Sequence, residues 1–230
     1  MHMTKPFIDL SHTIEHGLIT YKGLPAPILC DFLSREQSKQ HYAPGTEFQI
    51  GKIEMVANTG TYLDSPFHRY EEGNDLSELE LSSLANLDGV IVDAKSIGQS
   101  ANDKDGRAID VGAFEGIDVK GKAVLIHSGW ALHWRTDQYF EGHPYLTKEA
   151  AQHLADEGVL LVGIDSYNID DTADLTRPAH SILLGSGIPI VEHMCNVEQL
   201  PQDGFKFFAA PPKIKGMGTF PVRAFAVVNI

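Results

Sequence analysis

The chain has 230 residues, of which 43% are hydrophobic and 21% are charged. This composition is typical of a globular protein and excludes the disordered, collagen-like and coiled-coil classes. The 31 acidic and 18 basic residues give a formal net charge of −13, which repels phosphate backbones and anionic membranes. We therefore expect neither a nucleic-acid partner nor a membrane partner.

The two cysteines, Cys30 and Cys195, belong to no disulfide or metal-binding spacing. No apolar stretch is long enough for a signal peptide or a membrane span, which favours a cytoplasmic protein. No internal repeat and no linker divides the sequence. We predict one domain over residues 1–230.

Short apolar runs bounded by Gly, Asp or Pro indicate buried strands. In chain order they cover residues 90–92, 123–126, 159–164, 188–191 and 222–228. The polar residues 99–107 predict an exposed loop. A helix is predicted over residues 148–157, with Thr147 as its N-cap and Gly158 as its end. Because this helix leads directly into a buried strand, the pattern predicts an α/β fold.

Common catalytic signatures are absent, including the dinucleotide-binding and phosphate-binding glycine loops, the serine nucleophile elbow and His-Glu-x-x-His. The segment at residues 58–68, NTGTYLDSPFH, instead places Asp64 and His68 four residues apart, between turns set by Gly60 and Pro66. A carboxylate and an imidazole held in this way can form a metal-plus-base site or an acid/base pair. The structural alternative is a turn in which Asp64 caps a helix.

A second polar segment follows the predicted strand that ends at Asp165, and in it His180 and Glu192 flank an apolar run. Active-site groups gather where the strands of an α/β sheet end. The alternatives are that Asp165 is a cap, His180 a core histidine and Glu192 a partner of a surface lysine. Aromatic residues between these segments could cover a planar substrate or could form core or interface contacts; they are Trp130, Trp134, Tyr139 and Phe140.

Together these segments resemble the cyclase-type metal-dependent hydrolases, the family of bacterial kynurenine formamidase and isatin hydrolase. The resemblance covers the opening IDLSHTIEHGLITYKGLPAP, the middle VLIHSGWALHWRTDQYFEGHPYLTKEAA and the late segment from VGIDSYNIDD to EHMCNVEQLP. It implies a single cyclase-like α/β domain with a central mixed β-sheet or barrel-like core flanked by helices. It also implies a homodimer or homotetramer.

The family motif is His-x-Gly-Thr-His-x-Asp-x-Pro-x-His, and it corresponds to residues 58–68 of this chain. Five of the seven defined positions match the motif: Gly60, Thr61, Asp64, Pro66 and His68. Asn58 and Tyr62 stand where the family has two metal-binding histidines. The resemblance implies that Asp64 is a metal ligand, that His180 and Glu192 are further metal ligands or contact the ligands, and that His68 is the general acid/base. The implied reaction is metal-assisted hydrolysis of an amide, lactam, lactone or related small carbonyl compound.

The two replacements leave three possibilities open. The remaining donors could hold Mn²⁺ or Mg²⁺ in place of Zn²⁺, which favours nitrogen and sulfur ligands. Alternatively, a metal-free pocket could serve an isomerase, dehydratase or cyclase, with Tyr62 donating a hydrogen bond to a carbonyl oxygen and His68 transferring a proton. Its residues would be Tyr62, Asp64, His68, His180 and Glu192. Asn58 and Trp130 are the predicted substrate-binding residues. The third possibility is a non-catalytic protein that binds a ligand in the same pocket.

Overall fold

The computed structural model describes residues 7–95 and 106–228, so residues 99–105 of the predicted polar loop lie outside the described part. The strands are β1 (Phe7–Asp9), β2 (Ile28–Leu33), β3 (Ile50–Glu54), β4 (Tyr62–Asp64), β5 (Leu87–Asp93), β6 (Ala108–Ile109), β7 (Ala123–His127), β8 (Tyr145–Leu146), β9 (Leu161–Ile164), β10 (Ile190–Glu192), β11 (Phe205–Phe208), β12 (Thr219–Pro221) and β13 (Phe225–Val228). The helices are α1 (Arg35–Ser38), α2 (Lys148–Glu157) and α3 (Pro178–Gly185).

Nine of these strands form one mixed sheet in the order β1-β13-β11-β5-β7-β9-β10-β4-β12. The four central strands β5, β7, β9 and β10 run parallel to one another, and β4 pairs with β10 in the antiparallel direction. The strands β2 and β3 form a separate ribbon, and β6 pairs with β8. The prediction of an α/β fold with a central mixed sheet and flanking helices is confirmed.

Alternate residues of the central strands enter two separate cores on the two faces of the sheet. Along β5, Val90 and Val92 belong to one core and Ile91 to the other. Because successive side chains of a strand point to opposite faces, a continuous apolar run is the pattern expected for a strand covered on both sides. The first core includes the buried residues of α2 and α3, so both helices cover the same face of the sheet.

The helix α2 has the bounds and caps that the sequence predicts. The Thr147 hydroxyl accepts a hydrogen bond from the amide of Ala150, and Gly158 ends the helix with a φ of 73°. The sequence pattern predicts no helix over residues 178–185, where α3 lies. Its sequence, PAHSILLG, is apolar on most sides and lacks the amphipathic stripe by which a surface helix is recognised.

Within the described residues, no helix has the length and apolar character needed to cross a membrane.

Candidate active site

Strand alternation places three functional side chains on the sheet face that α3 covers. Leu63 of β4 and Val191 of β10 belong to the opposite core, so Tyr62, Asp64 and Glu192 face the other way. The antiparallel register sets Glu192 opposite Tyr62. It also sets Thr219 of β12 opposite Asp64. A cluster from three neighbouring strands therefore forms without any long loop.

Helix α3 completes this cluster by carrying His180 onto the strands. The carboxylate of Asp170 accepts hydrogen bonds from the backbone amides of Ala179 (2.6 Å) and His180 (3.1 Å), at the start of the helix. The same carboxylate lies 2.6 Å from Nδ1 of the His180 ring. Since Nδ1–H donates to Asp170, the other ring nitrogen, Nε2, is directed at the strand residues.

Asp64 is fully buried, and one of its oxygens has no hydrogen-bond partner among the described residues. Its Oδ1 accepts a short hydrogen bond from the Thr219 hydroxyl, whereas Oδ2 is the orphaned atom. This Oδ2 lies 3.6 Å from Nε2 of His180. Potential ligand atoms of Asp64, His68 and His180 all lie within 4.8 Å of one another. Buried carboxylate oxygens are normally paired or bound to a cation, so the donor set fits one metal ion.

His68 is held at this cluster through Thr219. The Thr219 oxygen lies 2.8 Å from Nδ1 of His68, and the only proton of the hydroxyl is donated to Asp64. The hydroxyl oxygen must therefore accept a hydrogen bond from Nδ1–H, which leaves Nε2 of a neutral ring as the basic nitrogen. Gly218 permits this close packing, because a Cβ atom at that position would collide with the backbone of His68.

Glu192 is the acceptor of a second, fully buried hydrogen-bond network. Its Oε1 accepts from the backbone amide of Ile169, and its Oε2 accepts from the Tyr62 hydroxyl, both at 2.6 Å. Nε2 of His193 lies 3.3 Å from the Tyr62 oxygen, and Nδ1 of His193 lies 2.8 Å from the Tyr139 hydroxyl. The Tyr62 proton is thus committed to Glu192 in this structure. Glu192 also lies 3.8 Å from Nε2 of His180.

The electrostatics of the cluster arise from three buried carboxylates around one imidazole. Burial lowers the pKa of His180, but the hydrogen bonds to Asp170 and Asp64 and the charge of Glu192 outweigh it and raise that pKa to about 10. Burial raises the pKa of Glu192 to about 7, with Asp64 adding to the effect and His180 opposing it. The site therefore favours a positive charge at its centre, either a protonated His180 or a cation.

The cluster opens into a cavity of about 300 Å³. Five of the residues that line it are predicted site residues: Asn58, Tyr62, His68, His180 and Glu192. Such a volume suits a small organic molecule.

The structure brings together most of the predicted site residues, but several of them do not line this cavity, among them Trp130 and Asp165. Trp130 is not among the lining residues, and its indole Nε1–H donates to the carbonyl of Tyr139 at 3.0 Å. Asp165 accepts from the amides of Ser128 and Gly129 and lines a different cavity. Asp64 lies in a strand rather than at a helix cap, and Glu192 is buried rather than paired with a surface lysine.

Thr219 positions His68 and Asp170 positions His180, and neither role is predicted from the sequence. Thr219 stands alone near the end of the chain and carries no motif, so only the strand register reveals its role. Asp170 follows the predicted strand in the run NIDD, and the sequence does not distinguish a functional aspartate there from an ordinary aspartate of a polar loop.

The family model described as "Putative cyclase" matches residues 8–171 of the chain. This chain belongs to the putative cyclase family. The match includes Asp64 and His68, and it confirms the predicted resemblance to the cyclase-type hydrolases.

Named cyclase-family relatives match this chain almost end to end. Kynurenine formamidase of Geobacillus thermodenitrificans is 28% identical, and the match covers 96% of this chain and 97% of the relative. Kynurenine formamidase of Bacillus cereus (strain ATCC 14579) is 25% identical over the same shares of the two chains.

The solved structures of this fold include isatin hydrolase A from Labrenzia aggregata bound to benzyl benzoate. Its TM-score is 0.79 at 22% identity, and the match covers 97% of this chain and 94% of that one. A structure titled as a potential metal-dependent hydrolase with cyclase activity gives a TM-score of 0.76 at 22% identity, covering 96% of each chain. At these identities the likeness establishes the fold.

Proposed function

We propose that this cyclase-family chain is an enzyme that hydrolyses the C–N bond of a small amide, formamide or lactam, or the related ester bond of a lactone. The observation that carries the proposal is the buried, unpartnered Oδ2 of Asp64 beside the imidazoles of His68 and His180. The names of the relatives support it, since kynurenine formamidase and isatin hydrolase are amide-hydrolysing enzymes by name.

Asp64 and His180 are the residues that would hold a divalent cation, with Glu192 as the further ligand. Mn²⁺, Mg²⁺ and Zn²⁺ are the candidate ions, and the harder two suit the oxygen donors that remain where Asn58 and Tyr62 replace histidines. A cation bound there supplies Lewis-acid polarisation of the substrate carbonyl and acidifies a water molecule.

His68 moves the protons in the proposed reaction. Its Nε2 accepts a proton from water as the water oxygen bonds to the carbonyl carbon, and it returns that proton to the nitrogen as the C–N bond breaks. The products are a carboxylic acid and an amine. Thr219 keeps the ring in the tautomer that this role requires, by accepting the hydrogen bond from Nδ1–H.

A second candidate is metal-free acid/base catalysis, as in an isomerase, dehydratase or cyclase. The specific observation in its favour is the pKa of Glu192, which burial raises to about 7, within reach of a proton-transfer role. In that case His180 carries the positive charge of the cluster. A ligand-binding protein without catalysis is the remaining alternative, and turnover of any substrate excludes it.

Three expectations about the whole protein stay predictions: a single domain over residues 1–230, a cytoplasmic location, and a homodimer or homotetramer. The exposed apolar side chains of the β2–β3 ribbon support the oligomer, since Phe32 is 74% exposed and Ile53 is 62% exposed.

Hydrolysis of formanilide, a neutral aryl formamide, tests the proposed function. With Mn²⁺ or Zn²⁺ supplied, we expect the wild-type protein to release aniline and formate, and we expect His68→Gln to lower kcat by about 10²- to 10⁴-fold because the proton carrier is lost. His41→Gln changes an exposed histidine outside the site and should leave kcat unchanged. Equal turnover by both variants would rule out His68 as the acid/base, and no turnover on formamide, lactam and lactone panels would contradict hydrolysis.

A further inference from the structure

Two arginines on different elements reach the cavity that contains His68 and His180. Arg69 directly follows His68, and Arg177 directly precedes α3. Both belong to the lining of the 300 Å³ cavity. The chain has six arginines, so one third of them meet at a single small opening.

Neither arginine lies within salt-bridge distance of a carboxylate among the described residues, although the chain has 31 acidic residues. Arg107, Arg135 and Arg223 each lie within salt-bridge distance of an Asp or Glu. Arg69 and Arg177 instead contact neutral acceptors, the Ser181 hydroxyl for Arg69 and the Asp171 carbonyl for Arg177. Two guanidinium groups without a salt bridge beside one cavity contribute positive charge at its mouth in an otherwise acidic protein.

The hydrogen bonds that position each guanidinium group leave two neighbouring nitrogen donors of that group available for a ligand. Arg69 uses Nε for Ser181, at 3.2 Å, and its guanidinium carbon lies 5.3 Å from the centre of the Tyr70 ring. Its two terminal nitrogens remain. Arg177 uses Nη1 for the Asp171 carbonyl, at 2.9 Å, so its Nε and Nη2 edge remains. Either edge matches the two oxygens of a carboxylate.

The backbone at Arg177 is held in a strained position. Its φ of 50° lies in the left-handed region, which a non-glycine residue adopts only where the surroundings impose it. The bonds from Nη1 to the Asp171 and Asp174 carbonyls tie the side chain to the preceding loop. The guanidinium is therefore fixed before any ligand arrives, which reduces the entropy cost of binding.

We propose that Arg69 and Arg177 form a carboxylate-binding subsite, so that the preferred substrate is a small amide carrying a free carboxylate away from the scissile bond. This inference rests on the proposed hydrolysis at the same cavity. A monoanion suits the site better than a phosphate dianion, because Glu192 lines the same cavity and Asp64 lies close to His68 and His180, which also line it.

The test compares 4-formamidobenzoate with formanilide, which differ by one carboxylate. The readout is the ratio of their kcat/KM values in the wild-type protein, Arg69→Gln, Arg177→Gln and the lysine variants at both positions. We expect the wild type to prefer the carboxylate, and each glutamine variant to reduce this preference by about 10- to 100-fold, with partial recovery in the lysine variants. Arg35→Gln, an exposed arginine on α1, is the matched control and should keep the wild-type ratio.

Benzoate binding, measured by calorimetry on the same proteins, separates this inference from the proposed function. One outcome is that neither formamide is hydrolysed, that benzoate binds, and that only the Arg69 and Arg177 variants lower the affinity for benzoate. In that case the subsite stands and the proposed hydrolysis fails. A wild-type preference near one, or a preference that the two arginine variants leave intact, overturns the subsite. Benzoate binding that is absent, or equal in all variants, overturns it as well.

Discussion

At the scale of single residues, Thr219 has the clearest consequence for the site. Its one hydroxyl accepts a hydrogen bond from His68 and donates one to the buried carboxylate of Asp64. We expect Thr219→Val to lower kcat by about 10- to 100-fold with little change in KM, because the ring of His68 loses its fixed tautomer and Asp64 loses a donor. Steady-state kinetics of formanilide hydrolysis measure both quantities.

The conservative variant Thr219→Ser is the control for this prediction. It keeps the hydroxyl and removes only a methyl group, so it should retain most of the wild-type kcat. Equal kcat values for the valine and serine variants would show that the hydroxyl does not position His68.

The residues of the site differ in how far the sequence reveals them. Asp64 and His68 belong to a compact motif with turn residues around them, so their chemistry is visible in one segment. Thr219 is 155 residues from Asp64 along the chain and meets it only through strand pairing. The contact between Tyr62 and Glu192 spans 130 residues and has the same origin. Local patterns identify residue types, whereas the register of β4, β10 and β12 decides which of them touch.

At the scale of elements, prediction succeeded where local signals and burial agree. The run AVLIH, apolar up to its final histidine, forms β7, and α2 carries both a Thr N-cap and a Gly stop. Prediction failed for α3, whose side chains are mostly apolar because Ala179, Leu183 and Leu184 pack in the core. A short helix of this kind has no polar face, so its 3.6-residue period is not visible in the sequence.

The failure at α3 had a direct consequence for the site. Without the helix, His180 and Glu192 are simply two residues that flank an apolar run. With it, Asp170 fixes the first turn of α3 through two backbone amides and orients His180 through the same carboxylate. Helix α3 thus brings Nε2 of His180 to 3.6 Å from Oδ2 of Asp64, although the two residues are 116 positions apart in the sequence.

At the scale of the whole molecule, buried histidines couple folding to pH. Burial and the charge of Arg135 lower the pKa of His12 to about 4, while its ring stacks on Trp134 at a centroid distance of 4.0 Å. Between pH 6.5 and pH 4 the unfolded chain therefore binds a proton at His12 that the folded chain does not. The free energy of unfolding must fall as the pH decreases through this window.

We expect His12 to account for about 2 kcal/mol of the stability lost between pH 7 and pH 5. His12→Phe keeps an aromatic ring against Trp134 but cannot be protonated, so its unfolding free energy should change less over this interval. Urea unfolding of both proteins at the two pH values, with chelator present, measures the difference. An identical loss in the wild type and in His12→Phe would contradict the assignment.

The central claim is that Asp64 and His180 hold a cation that hydrolysis requires. Chelator-treated protein is titrated with Mn²⁺ or Zn²⁺ while formanilide hydrolysis and Tm are followed, for the wild type, for Asp64→Asn and for the surface control Asp88→Asn. We predict that the metal restores activity and raises Tm by about 5–10 °C in the wild type and in Asp88→Asn, and does neither in Asp64→Asn. Full wild-type activity after chelation, with no response of Tm to either metal, would contradict the claim and favour the metal-free acid/base enzyme.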